Sequence, residues 1–241
     1  MNIKKHIPNL FTSLNLFTGC VASVLAFEGM FTVAMWLLLL AGLFDFLDGF
    51  MARLLKAYSP LGKELDSLAD MVSFGMLPSL VVFHFLSENT TYLTSISTIN
   101  MVIPYLAFLL AVFSALRLAK FNIDERQTSS FIGLPTPANA FFWVSFCYFL
   151  NKEQATSNVW MYVILGLILV FSILMISEMP MFSLKMKNFK LKGNELQYLL
   201  ILVSVVSFIF LQLSAFFIII LFYILLTTLL SIRKDNSSLN I

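Results

Sequence analysis

From Leu196 to Ser231 the chain runs thirty-six residues without a charged side chain. One membrane-crossing helix needs about 20 residues. Two short spans therefore fit this run, with Gln212-Leu-Ser214 as the tight turn between them. One tilted span followed by an interfacial helix is the competing arrangement. The rest of the chain repeats the pattern with polar breaks. Apolar runs cover about Leu10–Phe27, Met30–Leu55, Leu61–Leu86, 101–119, 138–150 and Asn158–Ile176. Backbone groups in hydrocarbon must be satisfied within their own segment, so these runs read as helices. Proline and glycine mark the joints: Glu28-Gly29 separates the first two spans and Ser59-Pro60 the next two. Pro78 is expected to kink the third span, and Pro104 to lie near the start of the fourth.

Composition agrees with an integral membrane protein. Apolar residues make up 59% and charged residues 12%, against about 25% charged in soluble domains. The net charge of +2 is too small to suggest a nucleic-acid partner. Cys20 and Cys147 sit in apolar segments, outside any metal or disulfide pattern, and read as structural thiols. The N-terminal run reads as a retained first helix, because no small-residue cleavage site follows it. Basic residues gather in alternate connections. Lys4 and Lys5, then Arg53, Lys56 and Lys63, Arg117, Lys120 and Arg126, the lysines at 185–192, and Arg233 with Lys234 fall on one side. The opposite connections hold one lysine, Lys152. By the positive-inside rule, eight spans place both termini in the cytoplasm.

Against this oily background stand four aspartates within twenty-six residues. Asp45 and Asp48 are spaced i,i+3, and Asp66 and Asp70 i,i+4, so each pair shares a helix face. The break at Ser59-Pro60 turns the two helices into a corner. Carboxylates packed this densely in a membrane protein must be paired, hydrated or metal-bound. An ordinary hydrated junction accounts for one such aspartate, but poorly for four with Gly49 and Arg53 interleaved. Two hard divalent cations, Mg²⁺ or Mn²⁺, would neutralise the set and could clamp a diphosphate. Gly49 and Ala52 leave room for a nucleotide, Gly62 does so across the corner, and Arg53 offers donors to phosphate. Asp70 could reach an incoming hydroxyl as general base.

The stretch from Asp45 to Asp70 resembles in full the signature of the CDP-alcohol phosphotransferases. That signature is Asp-x-x-Asp-Gly-x-x-Ala-Arg, eight residues, then Gly-x-x-x-Asp-x-x-x-Asp. In that family a hydroxyl attacks the β-phosphorus of a CDP-linked alcohol and CMP leaves. The resemblance implies that Asp45, Asp48 and Asp66 are metal ligands, and that Asp70 contacts metal and acts as the base. It also implies that Gly49, Ala52, Arg53 and Gly62 lie against the CDP moiety. The implied fold is all-α: a six-helix membrane core over 1–178, to which this chain adds a basic loop at 179–195, a helix pair at 196–232 and a flexible tail at 233–241.

Within the family the chain is most similar to the membrane-type phosphatidylserine synthases of bacteria and archaea. The similarity rests on Pro8–Gly19, Phe44–Gly49, Leu65–Gly75, Leu116–Asn122 and Phe131–Pro137. Phe50, Met51 and Lys120 depart from the residues common there. This resemblance implies CDP-diacylglycerol and L-serine as substrates, phosphatidylserine and CMP as products, and a homodimer at the inner membrane; the positive-inside topology independently places both aspartate pairs toward the cytoplasm. Arg117, Lys120 and Asn122 are candidates for the acceptor pocket, with positive-inside anchoring as the rival role for the two cations. Asn9, Thr12 and Asn15 could touch the nucleotide or bond between helices. The 129–137 loop could cover the pocket or simply connect spans. Glycerol 3-phosphate and an inositol phosphate are the alternative acceptors. A divalent-cation transporter is the non-enzymatic alternative, but no internal repeat is present and it gives Gly49 and Arg53 no task.

Overall fold

Proline, glycine and the polar breaks set the helix ends in the computed structural model, which describes residues 6–89, 96–124, 132–155, 157–181, 190–191 and 193–238. Lys4, Lys5, Arg126, Lys185, Lys187, Lys192 and the 129–131 part of the loop lie outside the described residues. Helix α1 spans Ile7–Phe27 with Pro8 in its first turn, where a missing N–H removes no bond. Gly29 (φ 76°) turns the chain into α2, Phe31–Leu54, which packs along α1. Helix α3 covers Pro60–Asn89, α4 Ser97–Ile123, α5 Thr136–Lys152 and α6 Asn158–Ile176. The final helical stretch divides into α7, Glu195–Leu211, and α8, Ala215–Ser238. A tight turn at Gln212–Ser214 separates them, with Gln212 at φ 49°. The turn falls where the polar break in the apolar block placed it. The backbone of α8 stays helical to Ser238, past the expected end near 232, because an established helix propagates at little cost.

Six of these stretches are long and apolar enough to cross a bilayer: Ile7–Phe27, Phe31–Leu54, Pro60–Asn89, Ser97–Ile123, Asn158–Ile176 and Glu195–Ser231. Eight were expected from the sequence. The difference has two sources: α5 has only 17 residues, and the divided final stretch counts once. Helix α5 also has a different environment. Phe142, Trp143, Val144, Phe146, Cys147 and Leu150 are all buried, and the Phe142 ring stacks on Phe171 of α6 at 4.1 Å. A helix enclosed by protein need not match the bilayer thickness, and its aromatic side chains fill the bundle centre.

Two prolines differ from expectation: Pro78 does more than kink its helix, and Pro104 lies past the start of its own. Pro78 cannot donate to Phe74, and the helix ahead of it widens into a π-helical stretch at Met71–Met76. Pro104 lies inside α4, and the turn around it, Ile103–Phe108, tightens to 3-10 geometry. Helix α4 therefore begins before Pro104, at Ser97.

The loop before α5 docks on the end of α6. Gly133 N–H donates to Met179 O at 2.9 Å, and Leu134 N–H to Leu174 O at 3.0 Å. Gly133 has φ 72°, and a Cβ there would lie 2.7 Å from Met175 O. Gly133→Ala is expected to destabilise the protein by about 1–3 kcal/mol, from left-handed strain and the carbonyl clash. Thermal unfolding in detergent micelles checks this, and an unchanged midpoint would contradict it.

Candidate active site

The corner between α2 and α3 is built by two helix-end devices. Helix α2 closes with Lys56 in the left-handed region (φ 50°), Ala57 N–H bonded to Ala52 O and Lys56 N–H to Arg53 O. This is a Schellman closure with lysine in the position glycine usually takes. Helix α3 opens with Ser59 as N-cap, its Oγ accepting from Gly62 N–H at 3.0 Å, and with Pro60 as first helical residue. The connection is therefore short and stiff, and it fixes how the two acidic faces meet.

Those faces bring Asp45, Asp48 and Asp66 together, with one carboxylate oxygen from each lying within 4.8 Å of the others. Asp48 is buried and accepts from Thr12 Oγ1 at 2.8 Å. Oδ1 of Asp66 is buried and has no hydrogen-bond partner among the described residues. Three converging carboxylates repel unless neutralised, and a buried oxygen without a proton donor suits a cation. The donors are all oxygen, so the trio fits one hard divalent cation such as Mg²⁺ or Mn²⁺. Asp70 stands one turn beyond Asp66 and outside the trio. Asn15 Nδ2 donates to its Oδ1 at 3.4 Å, and its surroundings include the field of all three other aspartates.

Helix α1 supplies the third wall. Gly19 lets it approach α3 so closely that a Cβ would lie 2.2 Å from Ser73 Oγ. Ser73 Oγ in turn donates to Asn15 O at 3.1 Å. This contact holds Thr12 and Asn15 over the aspartates. A cleft of about 220 Å³ opens between α1, α2 and α3. Of the residues expected at a nucleotide, Asn9, Thr12, Gly49, Ala52 and Gly62 line it. A Cβ on Gly62 would sit 3.0 Å from Asn9 Oδ1 and from Ser59 Oγ, so a larger residue would narrow the cleft. Arg53 is exposed, and its Nη2 comes within 4.0 Å of the open side of Gly49. Asn15 turns away from the cleft toward Asp70. Tyr58 and Lys63 also line the cleft, and sequence reasoning assigned them no role there.

The three acceptor candidates are dispersed by the fold. Arg117 is only 6% exposed, and its Nη1 donates to Thr136 Oγ1 at 3.1 Å. Its guanidinium lies 5.8 Å from the Phe121 ring centroid, and Asp70 contributes to the field around it. Lys120 points elsewhere, forming an ion pair with Glu178 and bonding Ile176 O at the end of α6. Asn122 braces α4 on α3: its Nδ2 donates to Ser67 Oγ at 2.8 Å, and its carbonyl accepts from Lys63 Nζ at 2.9 Å. Thr136, which holds the guanidinium, had no assigned role in the sequence reading. Its position between Pro135 and Pro137, just ahead of an apolar run, was the available signal.

Comparison with known proteins bears on the same helices. Residues 5–176 match the family model described as CDP-alcohol phosphatidyltransferase. The chain is 35% identical over 199 residues to the CDP-diacylglycerol–serine O-phosphatidyltransferase of Helicobacter pylori strain J99, covering 81% of this chain and 78% of that protein. It is 32% identical over 167 residues to the protein of the same name from Methanocaldococcus jannaschii, covering 69% and 72%. It is 31% identical over 180 residues to the archaetidylserine synthase of Methanothermobacter thermautotrophicus, covering 72% of each. The matched segment contains every helix that shapes the carboxylate corner, and the chain belongs to the CDP-alcohol phosphatidyltransferase family.

Proposed function

We propose that the protein transfers the phosphatidyl group of CDP-diacylglycerol to the hydroxyl of L-serine, giving phosphatidylserine and CMP. The names of its relatives support serine as acceptor. The observation that carries the choice is Arg117, the one guanidinium buried among the described residues, which lies in the field of Asp70. A phosphorylated acceptor calls for two or more cations in its pocket, whereas one arginine fork matches one carboxylate. Lys120 is engaged with Glu178, and Lys63 reaches the Asn122 carbonyl.

In this reading Asp45, Asp48, Asp66 and Asp70 hold two divalent cations. Bound there, the cations would neutralise the diphosphate and stabilise charge on the transferring phosphoryl group. Gly49, Ala52 and Gly62 keep the cleft open for the CDP moiety, Asn9 and Thr12 border it, and Arg53 donates to phosphate oxygens. Asn15 orients Asp70, which takes the proton from the serine hydroxyl. The serine oxygen bonds to the β-phosphorus as the bridging P–O bond breaks, and CMP leaves with that electron pair.

The same reading includes eight crossings. Helix α5 is a short one, and Glu195–Ser231 is a hairpin of two. Residues 1–178 form the catalytic core, 179–195 a basic loop, 196–232 an added helix pair and 233–241 the tail. Both termini and the aspartate corner face the cytoplasm at the inner membrane, and the protein works as a homodimer.

The test is an acceptor panel. Purified protein is supplied with CDP-diacylglycerol, Mg²⁺ or Mn²⁺, and serine, glycerol 3-phosphate or an inositol phosphate separately. Phosphatidylserine and CMP are expected from serine alone. Product from glycerol 3-phosphate with none from serine would overturn the reading.

A further inference from the structure

Asn139 is fully buried in α5, yet neither its Oδ1 nor its Nδ2 has a hydrogen-bond partner among the described residues. An amide brings two donors and an acceptor oxygen with two lone pairs. A native core retains such a group unsatisfied only for a reason, since an apolar residue of the same size would pack there without that cost. Its position suggests the reason. Asn139 follows Thr136 by three residues and so shares its helix face. Thr136 holds Nη1 of Arg117. The Nε of Arg117 is also buried without a partner among the described residues. With Nη1 committed, the Nε–Nη2 edge is the fork left to receive a carboxylate.

Arg117 lies in the field of Asp70, and neither Arg117 nor Asn139 lines the nucleotide cleft. The cleft is walled by α1, α2 and α3. Arg117 and Asn139 belong to α4 and α5. Ser114, one turn before Arg117, is fully buried, and its Cβ would meet a Cβ on Gly75 at 3.1 Å, in the π-helical stretch just after Asp70. An in-line displacement needs nucleophile and leaving group on opposite sides of phosphorus. If CMP leaves toward the cleft, the acceptor must enter from the α4–α5 side.

We infer that Asn139 is a substrate-binding residue for the acceptor, reading the ammonium of an α-amino acid whose carboxylate lies on Arg117. This inference rests on the serine-transfer reading. The Oδ1 of Asn139 accepts from the ammonium, the Arg117 fork takes the carboxylate, and the hydroxyl faces Asp70. An amide recognises the cation without adding a charge beside the carboxylate it must also tolerate.

The experiment compares wild type with Asn139→Leu, which keeps the branched shape and removes both polar ends, and with Asn139→Asp, which keeps the acceptor. Two acceptors are used: L-serine, and 3-hydroxypropanoate, which retains hydroxyl and carboxylate but lacks the amine. Asn139→Leu is expected to raise the serine KM by about tenfold or more and to reduce the preference for serine over 3-hydroxypropanoate by a similar factor. The KM for CDP-diacylglycerol should stay unchanged. A purely structural role would instead affect both acceptors and the donor alike. Asn139→Asp should keep the preference for serine, and it decides the question if the leucine variant does not fold. Loss of that preference in Asn139→Asp would overturn the inference. Serine turnover in wild type with an unchanged serine KM and preference in Asn139→Leu would overturn the role of Asn139 alone. Absence of serine turnover in wild type would overturn the serine reading itself.

Discussion

Asp70→Asn is expected to lower turnover by about two to four orders of magnitude, the range that a positioned general base supplies. CDP-diacylglycerol and a divalent cation should still bind, because Asp45, Asp48 and Asp66 form their trio without it. The asparagine keeps the shape of the side chain and can still meet Asn15, but it cannot take a proton. Asp66→Asn should behave differently. It removes a charge from the trio, so the metal concentration giving half-maximal activity should rise steeply, and excess metal should restore part of the rate. Metal titrations of turnover on both variants, with CDP-diacylglycerol binding measured alongside, separate the two roles. Near-wild-type turnover in Asp70→Asn would remove it as the base.

The second large effect is expected far from the chemistry. Gly19→Val should destabilise the protein by about 1–3 kcal/mol and should abolish most activity. A Cβ at position 19 would overlap Ser73 Oγ at 2.2 Å and press on the Ser73 Cα at 3.0 Å. Ser73 has little freedom to yield, because it is fully buried and bonded to Asn15 O. Helix α1 would then have to move off α3, taking Thr12 from Asp48 and Asn15 from Asp70. Adding Ser73→Gly to the valine variant should recover part of the loss, since the two residues share one contact. Thermal unfolding and activity are both measured. A single Gly19→Val variant with wild-type stability would show that the helices are not held at this distance.

Much of the architecture was legible in the chain because the bilayer imposes a simple rule. Apolar runs of span length become helices, and the breaks at Gly29, Ser59-Pro60 and Gln212 fell where the backbone turns. The aspartate corner was legible for a related reason, since i,i+3 and i,i+4 spacing needs only helix geometry to define a face. The π-helical stretch at Met71–Met76 was not legible. Over a single turn, α and π periods leave nearly the same apolar pattern, and Pro78 alone does not say how its missing bond is absorbed. The enclosure of α5 was hidden as well, because Phe and Trp suit lipid and protein interior alike.

By itself, then, the sequence determined that the chain is helical and membrane-embedded and that one corner is acidic, since both follow from contacts within about one helical turn or from transfer to hydrocarbon. Only the tertiary structure decided which polar groups share a site. Arg117, Lys120 and Asn122 lie within six residues of one helix, yet they serve Thr136 on α5, Glu178 just past α6 and Ser67 on α3. Conversely, Asn15 and Asp70 are fifty-five residues apart and meet. Helical periodicity sets the direction of each side chain around its own axis, but the neighbour it faces depends on how closely the helices pack. Here that distance is set by Gly19 against Ser73 and by the loop at Gly133 docked on α6.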